Sequence, residues 1–278
     1  MHKERGDFLN KKDVFSMIQE YETVKAGKHK FLLPITFHHA DVFTAAFTIS
    51  TRKLLKLLPT KQFTPMQTLP GRAVMMVSAM DYSESNLGAH GEASIAFPVM
   101  LNTISIPILS ALFELRWPGS GLYVYYLTVT TETVCAARKE IWKYPCSVAE
   151  MDFTDRPGIH RVEVKEDGEK VFTFTVRKTG KRQVDTTDWR TYSIKGDEIL
   201  DTTIYIYGKR RVARLAHTAE LELGSHPVCD VIRELEPSAA PVMSSYYLSI
   251  NAVLPRPQKT SPLKEDHTKD DVKSGSER

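Results

Sequence analysis

The stretch that most constrains the fold is residues 123–153, with the sequence YVYYLTVTTETVCAARKEIWKYPCSVAEMDF. It begins with the apolar run 123–129, which is dense in aromatic and β-branched residues and is typical of a β-strand. Because proline has a fixed φ and no amide hydrogen, the Tyr144-Pro145 step predicts the end of a strand or the start of a turn. The segment therefore predicts a β-rich fold in which a turn holds the small, reactive side chain of Cys146 in one orientation.

The rest of the chain shows the same strand-like patterns, with little sign of helix. Three apolar runs are predicted to be strands: 42–49, 73–80 and 89–98. The last two are expected to pair as an antiparallel hairpin across a turn-rich loop at 81–88. Short alternating strands are predicted between residues 162 and 223, and leucines at helical spacing predict a short helix over 51–58 that ends at Pro59. The fold class predicted is β-rich α+β with few short helices.

The composition along the chain divides it into three parts. Residues 1–28 are polar and predict an N-terminal arm, and residues 29–257 predict one folded domain. Residues 258–278 contain only Leu263 and Val272 as aliphatic residues, so they are expected to bury too little surface to become ordered and to form a disordered tail.

Charge and cysteine content exclude several classes of function. The formal net charge is only +3, and no basic run carries interleaved aromatic residues, so nucleic acid is not an expected partner. Three cysteines without a CxxC spacing predict neither a disulfide framework nor a zinc site, and no metal or other cofactor is expected. The longest apolar stretch, 93–115, is interrupted by two prolines, and residues 1–12 do not resemble a signal peptide. We therefore expect a cytoplasmic protein that does not enter a membrane and binds a small molecule.

Four short motifs, taken in order, resemble those of the acetoacetate decarboxylase family. The family has Leu-Gly-x-Tyr-x-Glu, Gly-Arg-Glu, Tyr-Pro-Lys-Lys and Ile-x-x-Leu-Pro-Arg. The matching segments here are 87–92 (LGAHGE), 138–140 (RKE), 144–147 (YPCS) and 250–256 (INAVLPR). The resemblance covers roughly residues 31–257 and implies an acetoacetate-decarboxylase-like antiparallel β-barrel or cone.

This chain departs from the family at the residue that carries the family's chemistry. There, the lysine after the Tyr-Pro step forms an iminium with a β-keto acid, and the iminium accepts the electrons released as carbon dioxide leaves. Cys146 occupies that position and Ser147 follows it, so an iminium cannot form there. Lys139 and Lys143 are the nearest other amines, and both are expected to be solvated lysines at strand edges. The family's arginine for the substrate carboxylate aligns on Ala40, which implies that a small free carboxylate is no longer the recognised group.

Three residues are the candidates for catalysis. Glu92 has small, apolar neighbours and falls on a pocket glutamate of the family, and burial of a carboxyl group favours acid–base work. His90 lies two residues earlier on the same strand face and could exchange protons with it. Cys146 is a candidate nucleophile or weak acid. The alternatives are an exposed strand carboxylate, a histidine bonded to a neighbouring strand and a small buried thiol.

An aromatic set is expected to surround the cavity. The substrate-binding candidates are His39, Trp117, Tyr123, Tyr125 and Trp142. With the arginine and the lysine of the family absent, these residues predict a larger and less polar substrate than acetoacetate, of the kind found in secondary metabolism.

The resulting hypothesis is a divergent enzyme of this family, a lyase or an isomerase or cyclase. It would act on an apolar carbonyl compound by acid–base chemistry, through dehydration, isomerisation, cyclisation or decarboxylation without a Schiff base. Two alternatives stay open, a non-catalytic ligand-binding protein and a β-keto acid decarboxylase that uses a lysine from elsewhere. A homo-oligomer is expected, with the hydrophobic segment 98–117 as a natural contact.

Overall fold

The structure is a computed structural model that describes residues 14–103, 117–185, 188–214 and 216–263. The strands in these residues are β1 (Glu22–Ala26), β2 (His29–Leu33), β3 (Ile35–Ser50), β4 (Phe63–Pro65), β5 (Gln67–Leu69), β6 (Arg72–Ser85), β7 (His90–Leu101), β8 (Ser120–Val129), β9 (Cys146–Val148), β10 (Glu150–Arg156), β11 (Ile159–Glu166), β12 (Glu169–Arg177), β13 (Lys181–Asp185), β14 (Trp189–Lys195), β15 (Glu198–Ala213), β16 (Ala219–Leu223), β17 (Met243–Leu254) and β18 (Gln258–Pro262). The α-helices are α1 (Thr51–Leu57), α2 (Glu132–Glu140) and α3 (Pro227–Glu234), and a 3₁₀ helix covers Val14–Met17.

Seven strands close into a ring. Their order is β7-β6-β3-β17-β15-β14-β8, and β8 pairs back with β7. All neighbours in the ring are antiparallel except β14 and β8, which are parallel. Closure leaves no edge strands within the ring, and the alternation of side chains sends every second residue to its interior. The predicted β-barrel is therefore confirmed, with one parallel junction.

A second sheet covers part of the outside of the ring. It has the order β10-β11-β12-β16, and apolar side chains of β12 such as Phe172 and Phe174 share a core with outward residues of β3, including Phe43 and Phe47. Gly91 of β7 shows how close the two layers are, because a Cβ at this position would lie 2.8 Å from the Phe153 ring. Since Gly91 points to the second sheet, its neighbours on β7 point into the ring.

Helix α2 places Arg138 on the side that faces the ring, while Lys139 and Glu140 are exposed. Thr131 caps it by accepting a hydrogen bond from the Val134 amide at 3.3 Å, and Glu132 and Arg138 lie in its first and last turns, where their charges suit the helix dipole. After the helix, the chain passes Lys143 with a φ of 57° and Pro145, and enters β9, which pairs in parallel with β8 through Cys146 and Leu127. The predicted turn at Tyr144-Pro145 is thus a helix-to-strand connection.

Several elements lie where the patterns predict them. The runs 42–49, 73–80 and 89–98 fall within β3, β6 and β7, and the helix predicted over 51–58 is α1. The loop predicted at 81–88 is wrong for its first half, because β6 continues to Ser85 through backbone pairing with β3 and β7 that polar side chains do not prevent.

The two ends of the predicted domain contain further strands. β1 lies within the segment predicted as an arm and pairs with β2. β18 begins the segment predicted as a disordered tail and is held by backbone pairing with β15, which does not need aliphatic side chains. Most of the hydrophobic segment 98–117 that was expected to form an oligomer contact, residues 104–116, lies outside the described residues. No helix in the described part of the chain is long and apolar enough to cross a membrane.

Candidate functional site

The interior of the ring contains a cavity of about 90 Å³, enough for several water molecules or a small organic molecule. Every strand of the ring contributes to its wall, which is mostly apolar. The lining residues are Phe37, Val42, Ser78, Met80, Tyr82, Glu92, Ser94, Ala96, Leu122, Val124, Leu127, Arg138, Tyr144, Trp189, Thr191, Ile204, Ile206, Ile250, Ala252 and Leu254. Among them, Glu92 and Arg138 are the two that carry a full charge, and their charges cancel.

Glu92 and Arg138 form a buried ion pair. Arg138 donates from Nη2 at 2.7 Å and from Nε at 3.0 Å, both to Glu92 Oε2. The Arg138 side chain is 3% exposed and that of Glu92 is 10% exposed, so the pair is shielded from bulk solvent on the cavity wall. The guanidinium also lies 5.4 Å from the centre of the Trp142 ring and 5.9 Å from that of Phe37, which adds cation–π attraction. Glu92 is a site residue predicted from the sequence, whereas Arg138 was not predicted as one.

The ion pair leaves one acceptor and one donor for a ligand. Both hydrogen bonds end on Oε2, so Glu92 Oε1 has no partner among the described residues, and the same is true of Arg138 Nη1. Because both side chains line the cavity, these two atoms are available to a molecule inside it. A carboxylate oxygen can accept a proton and a guanidinium N–H can stabilise a negative oxygen, so the pair offers a base next to an oxyanion donor.

Hydroxyl groups complete the polar part of the wall. Ser78 and Ser94 face each other across β6 and β7, two pairs along from Met80 and Glu92. The Tyr144 hydroxyl contacts Thr191 Oγ1 at 2.6 Å, and Thr191 donates to the Thr202 carbonyl. Since that carbonyl can only accept, the Tyr144 hydroxyl is the donor in its own bond, and burial raises its pKa.

His90 lies on the same inner face of β7 as Glu92, as predicted, but it is not part of the cavity wall. Its Nδ1 contacts the Gly88 carbonyl at 2.9 Å, and its Nε2 is buried without a partner in the described residues. Burial lowers the pKa of His90, and the Glu92 charge opposes this. The imidazole is therefore neutral near pH 7, with the proton on Nδ1.

Cys146 is buried beside Cys135 of α2, and its side chain does not line the cavity. Burial raises the pKa of the Cys146 thiol well above its ordinary value, and its interaction with Cys135 adds to the rise. A protonated thiol is a weak nucleophile, so the geometry favours the small buried thiol over the nucleophile. The catalytic role predicted for Cys146 stays a prediction.

The residues predicted to bind substrate lie elsewhere. His39 is exposed and pairs with Glu84 at 3.7 Å. Tyr123 and Tyr125 pack on the outer face of β8 against Phe63 and Phe97, because Leu122 and Val124 take the inner face.

The two tryptophans also lie outside the cavity wall. Trp117 is half-buried in the turn before β8, where its carbonyl accepts hydrogen bonds from Ser120. Trp142 is fully buried and donates to the Pro255 carbonyl at 2.9 Å. Its ring packs against the Arg138 guanidinium. The described residues therefore bring only Glu92, of the predicted site residues, to the cavity itself.

No lysine is among the described residues that line the cavity. Lys139 is an exposed helix residue and Lys143 is a half-buried loop residue, so neither lies at a strand edge. Within the described ranges, no group of three histidine, cysteine, aspartate or glutamate side chains could hold a metal ion.

Stability is expected to fall at mildly acidic pH because two histidines are buried. Burial lowers the pKa of His90 and His160, and for His160 the Lys178 charge adds to the effect. Below about pH 6.5 the unfolded chain binds protons that the folded chain rejects, so the free energy of unfolding drops with decreasing pH, by at most about 1.4 kcal/mol per pH unit for each histidine.

Urea unfolding between about pH 7.5 and pH 5.5 measures this drop. The His160→Gln variant should show a shallower dependence than the parent protein, while His39→Gln, which changes an exposed histidine, should keep the parent slope. Equal slopes in the parent and in His160→Gln would contradict the assignment for His160.

Comparisons with known proteins agree with this architecture. The family model described as acetoacetate decarboxylase matches residues 21–254. An acetoacetate decarboxylase from Legionella pneumophila superposes with a TM-score of 0.62 at 14% identity, covering 88% of this chain and 90% of the other. The enduracididine biosynthesis enzyme MppR, in complex with pyruvate, gives 0.60 at 10% identity, covering 83% and 91%. An acetoacetate decarboxylase-like enzyme from Sphingomonas wittichii RW1 gives 0.55 at 14% identity, covering 83% and 94%.

A comparison with curated proteins gave no significant match. The solved structures share the fold at low identity, whereas the family model matches most of the chain in sequence. On that match, this chain belongs to the acetoacetate decarboxylase family.

Proposed function

We propose that this protein is an enzyme that moves protons on a small, neutral carbonyl compound with an apolar body. The observation that carries the proposal is the Glu92–Arg138 ion pair on the wall of an apolar cavity, with Oε1 and Nη1 left for a ligand. A buried carboxylate and a buried cation are costly to maintain, so a pair placed on a cavity wall is a candidate for chemistry.

The roles of the two residues follow from their free atoms. Glu92 Oε1 takes a proton from the carbon next to the carbonyl, and the C–H electron pair forms a C=C bond. The carbonyl π electrons move to oxygen, where an Arg138 Nη1 hydrogen bond stabilises the enolate. Glu92 then gives up the proton in one of three ways. Transfer to the γ-carbon of an enolate conjugated with a C=C bond gives isomerisation, and transfer to a departing β-hydroxyl, which leaves as water, gives dehydration. Attack of the enolate carbon on a second carbonyl of the same molecule, with transfer of the proton to the alkoxide that forms, gives cyclisation.

The charge of the cavity selects among substrates. A free carboxylate would be attracted by Arg138 but repelled by Glu92, so a neutral molecule fits the cancelled charges better than an acid or an amine. This favours the reactions above over decarboxylation without a Schiff base, since a β-keto acid is ionised at about pH 7. The apolar side chains of β15 and β17, such as Ile204, Ile206 and Ile250, suit a hydrocarbon body. A secondary-metabolite-like carbonyl compound remains our proposed substrate class.

Deuterium exchange tests the proposal without the natural substrate. Acetone, butanone, cyclohexanone and benzylacetone are incubated with the protein in deuterium oxide, and loss of the α-proton signals is followed by NMR. We expect exchange above the uncatalysed rate for at least one compound, and a loss of about 10²–10⁴-fold in Glu92→Gln, because that change removes the base.

Glu84→Gln is the matched control, since Glu84 is an exposed carboxylate near the end of β6 that contacts His39 and does not line the cavity. Thermal unfolding shows whether Glu92→Gln is folded. We expect that it is, because the glutamine carbonyl can still accept a hydrogen bond from Arg138. Exchange by a folded Glu92→Gln at the parent rate would remove Glu92 from the mechanism.

The two other functions give different results in the same assays. A ligand-binding protein would be stabilised by one of the compounds without catalysing exchange. A decarboxylase with a lysine from elsewhere would be labelled by borohydride in the presence of acetoacetate. The lining of the cavity does not favour this function, because no lysine is among the described residues that line it.

A further inference from the structure

Tyr82 lies in a cluster of aromatic rings on the wall of the cavity. It lies on β6 opposite His90, two pairs along from Met80 and Glu92. Its ring contacts Phe37 at 4.4 Å and His90 at 4.9 Å between ring centres, so it is clamped from two sides. The ring contacts therefore set the position of the hydroxyl oxygen, while the O–H bond can still rotate.

The hydroxyl of Tyr82 has only a weak partner. It donates to the thioether of Met80 at 3.2 Å, and sulfur of this type is a weak acceptor. Tyr144, the other tyrosine that lines the cavity, already donates to the stronger acceptor Thr191 Oγ1. Of these two hydroxyls, that of Tyr82 can turn to a ligand oxygen at the smaller cost.

The use of a histidine to hold the Tyr82 ring has an energetic cost that packing alone does not explain. The bond from His90 Nδ1 to the Gly88 carbonyl fixes the imidazole against Tyr82, while Nε2 stays buried without a partner in the described part of the chain. An apolar ring at position 90 would fill the same space without burying an unpaired lone pair.

We infer that Tyr82 is a further catalytic residue of this site: its hydroxyl donates a hydrogen bond to the carbonyl oxygen that Arg138 Nη1 also binds. His90 is a positioning residue that holds the Tyr82 ring through its bond to Gly88. The inference rests on the proposed function, because it assigns the second donor for the same enolate oxygen. Burial and the nearby Glu92 charge raise the pKa of Tyr82, so the hydroxyl keeps its proton throughout the neutral range.

Tyr82→Phe tests the inference because it keeps the ring and removes the donor. For the ketone that exchanges fastest, we expect kcat for exchange to fall about 10²–10³-fold with little change in KM, as for the loss of one oxyanion donor. Tyr246→Phe is the matched control, since Tyr246 is a buried tyrosine on the outer face of β17 that packs against His160. His90→Ala should lower kcat by unclamping the ring, and His90→Phe should recover part of the loss if His90 acts by position.

A spectroscopic readout separates this inference from the proposed function. The infrared stretch of a bound ketone, labelled with ¹³C at its carbonyl, should lie at lower frequency in the parent protein than in Tyr82→Phe. If the frequency depends on Tyr82 but no compound exchanges, the proposed function fails and the hydrogen bond stands. If Glu92→Gln abolishes exchange while Tyr82→Phe changes neither kcat nor the carbonyl frequency, the inference on Tyr82 is overturned alone.

Discussion

Replacing Arg138 by methionine is expected to lower the free energy of unfolding by about 3–5 kcal/mol. Arg138 is 3% exposed in its side chain and gives Glu92 the two hydrogen bonds that its Oε2 receives. Methionine fills much of the space of the arginine stem but leaves the Glu92 carboxylate buried without a counter-charge. Urea unfolding of the variant and of the parent protein at about pH 7.5 measures the loss.

A double-mutant cycle shows that the loss comes from the unpaired charge. Glu92→Gln combined with Arg138→Met removes both charges, and replacing both members of a buried pair is often close to neutral, so the double variant should be more stable than Arg138→Met alone. Arg233→Met is the control for loss of an arginine, because Arg233 is a half-exposed residue of α3 that pairs with Asp230 and donates to the Leu223 and Gly224 carbonyls, so its loss leaves no charge buried. A loss in Arg138→Met no larger than in Arg233→Met would contradict the buried pair.

This ion pair also shows what the sequence could not predict. The alternation of β7 places His90 and Glu92 on one face of one strand, which is a local property of the chain. Arg138 lies 46 positions from Glu92, on a helix whose apolar residues are few and small, so neither periodicity nor spacing links the two. A physical signal was nevertheless present, since a carboxylate expected in an apolar pocket requires a cation, and Arg138 stands in the segment that resembles the family's Gly-Arg-Glu motif.

The orientation of the aromatic residues on β8 could not be predicted from the sequence for a related reason. Tyr123 and Tyr125 alternate with Leu122 and Val124, and either set could face the cavity until the ring and the second sheet are known. Both faces of this strand are covered, so hydrophobicity does not distinguish the inside of the ring from its outside. The strands themselves are predicted well because they depend on local composition, while their orientation depends on the whole sheet.

The position of Arg138 in the family motif leads to the second large effect that we expect. On the alignment with the family motifs, Arg138 falls on the glycine of Gly-Arg-Glu and Cys146 on the Schiff-base lysine, so one position would have gained a cation and the other would have lost one. Both positions lie near Glu92: burial raises the pKa of Cys146, the Glu92 charge adds to the rise and the Arg138 charge opposes it. The alignment thus implies that the cation facing Glu92 moved from the strand after the proline to helix α2.

If so, the two positions should be strongly coupled. Cys146→Lys alone places a second buried cation beside Arg138 and is expected to cost about 3–5 kcal/mol, whereas Cys146→Met, similar in length but uncharged, should cost less. Adding Arg138→Gly should return part of the stability, with a coupling energy near the upper end of about 0.5–3 kcal/mol, although glycine in a helix itself costs about 1 kcal/mol.

The same double variant should form a Schiff base at position 146, as the resemblance to the family implies for a lysine there. With Arg138 absent, the introduced amine would be the cation facing Glu92, and its burial in an apolar cavity would lower its pKa toward the range in which an amine attacks a ketone. Borohydride added with acetoacetate should then label position 146, as seen by mass spectrometry of the digested protein, while the parent protein and Arg138→Gly stay unlabelled there. Labelling of Cys146→Lys to the same extent with and without Arg138 would show that the arginine does not occupy the functional place of the lysine, and the roles given to the Glu92–Arg138 pair would then need a different origin.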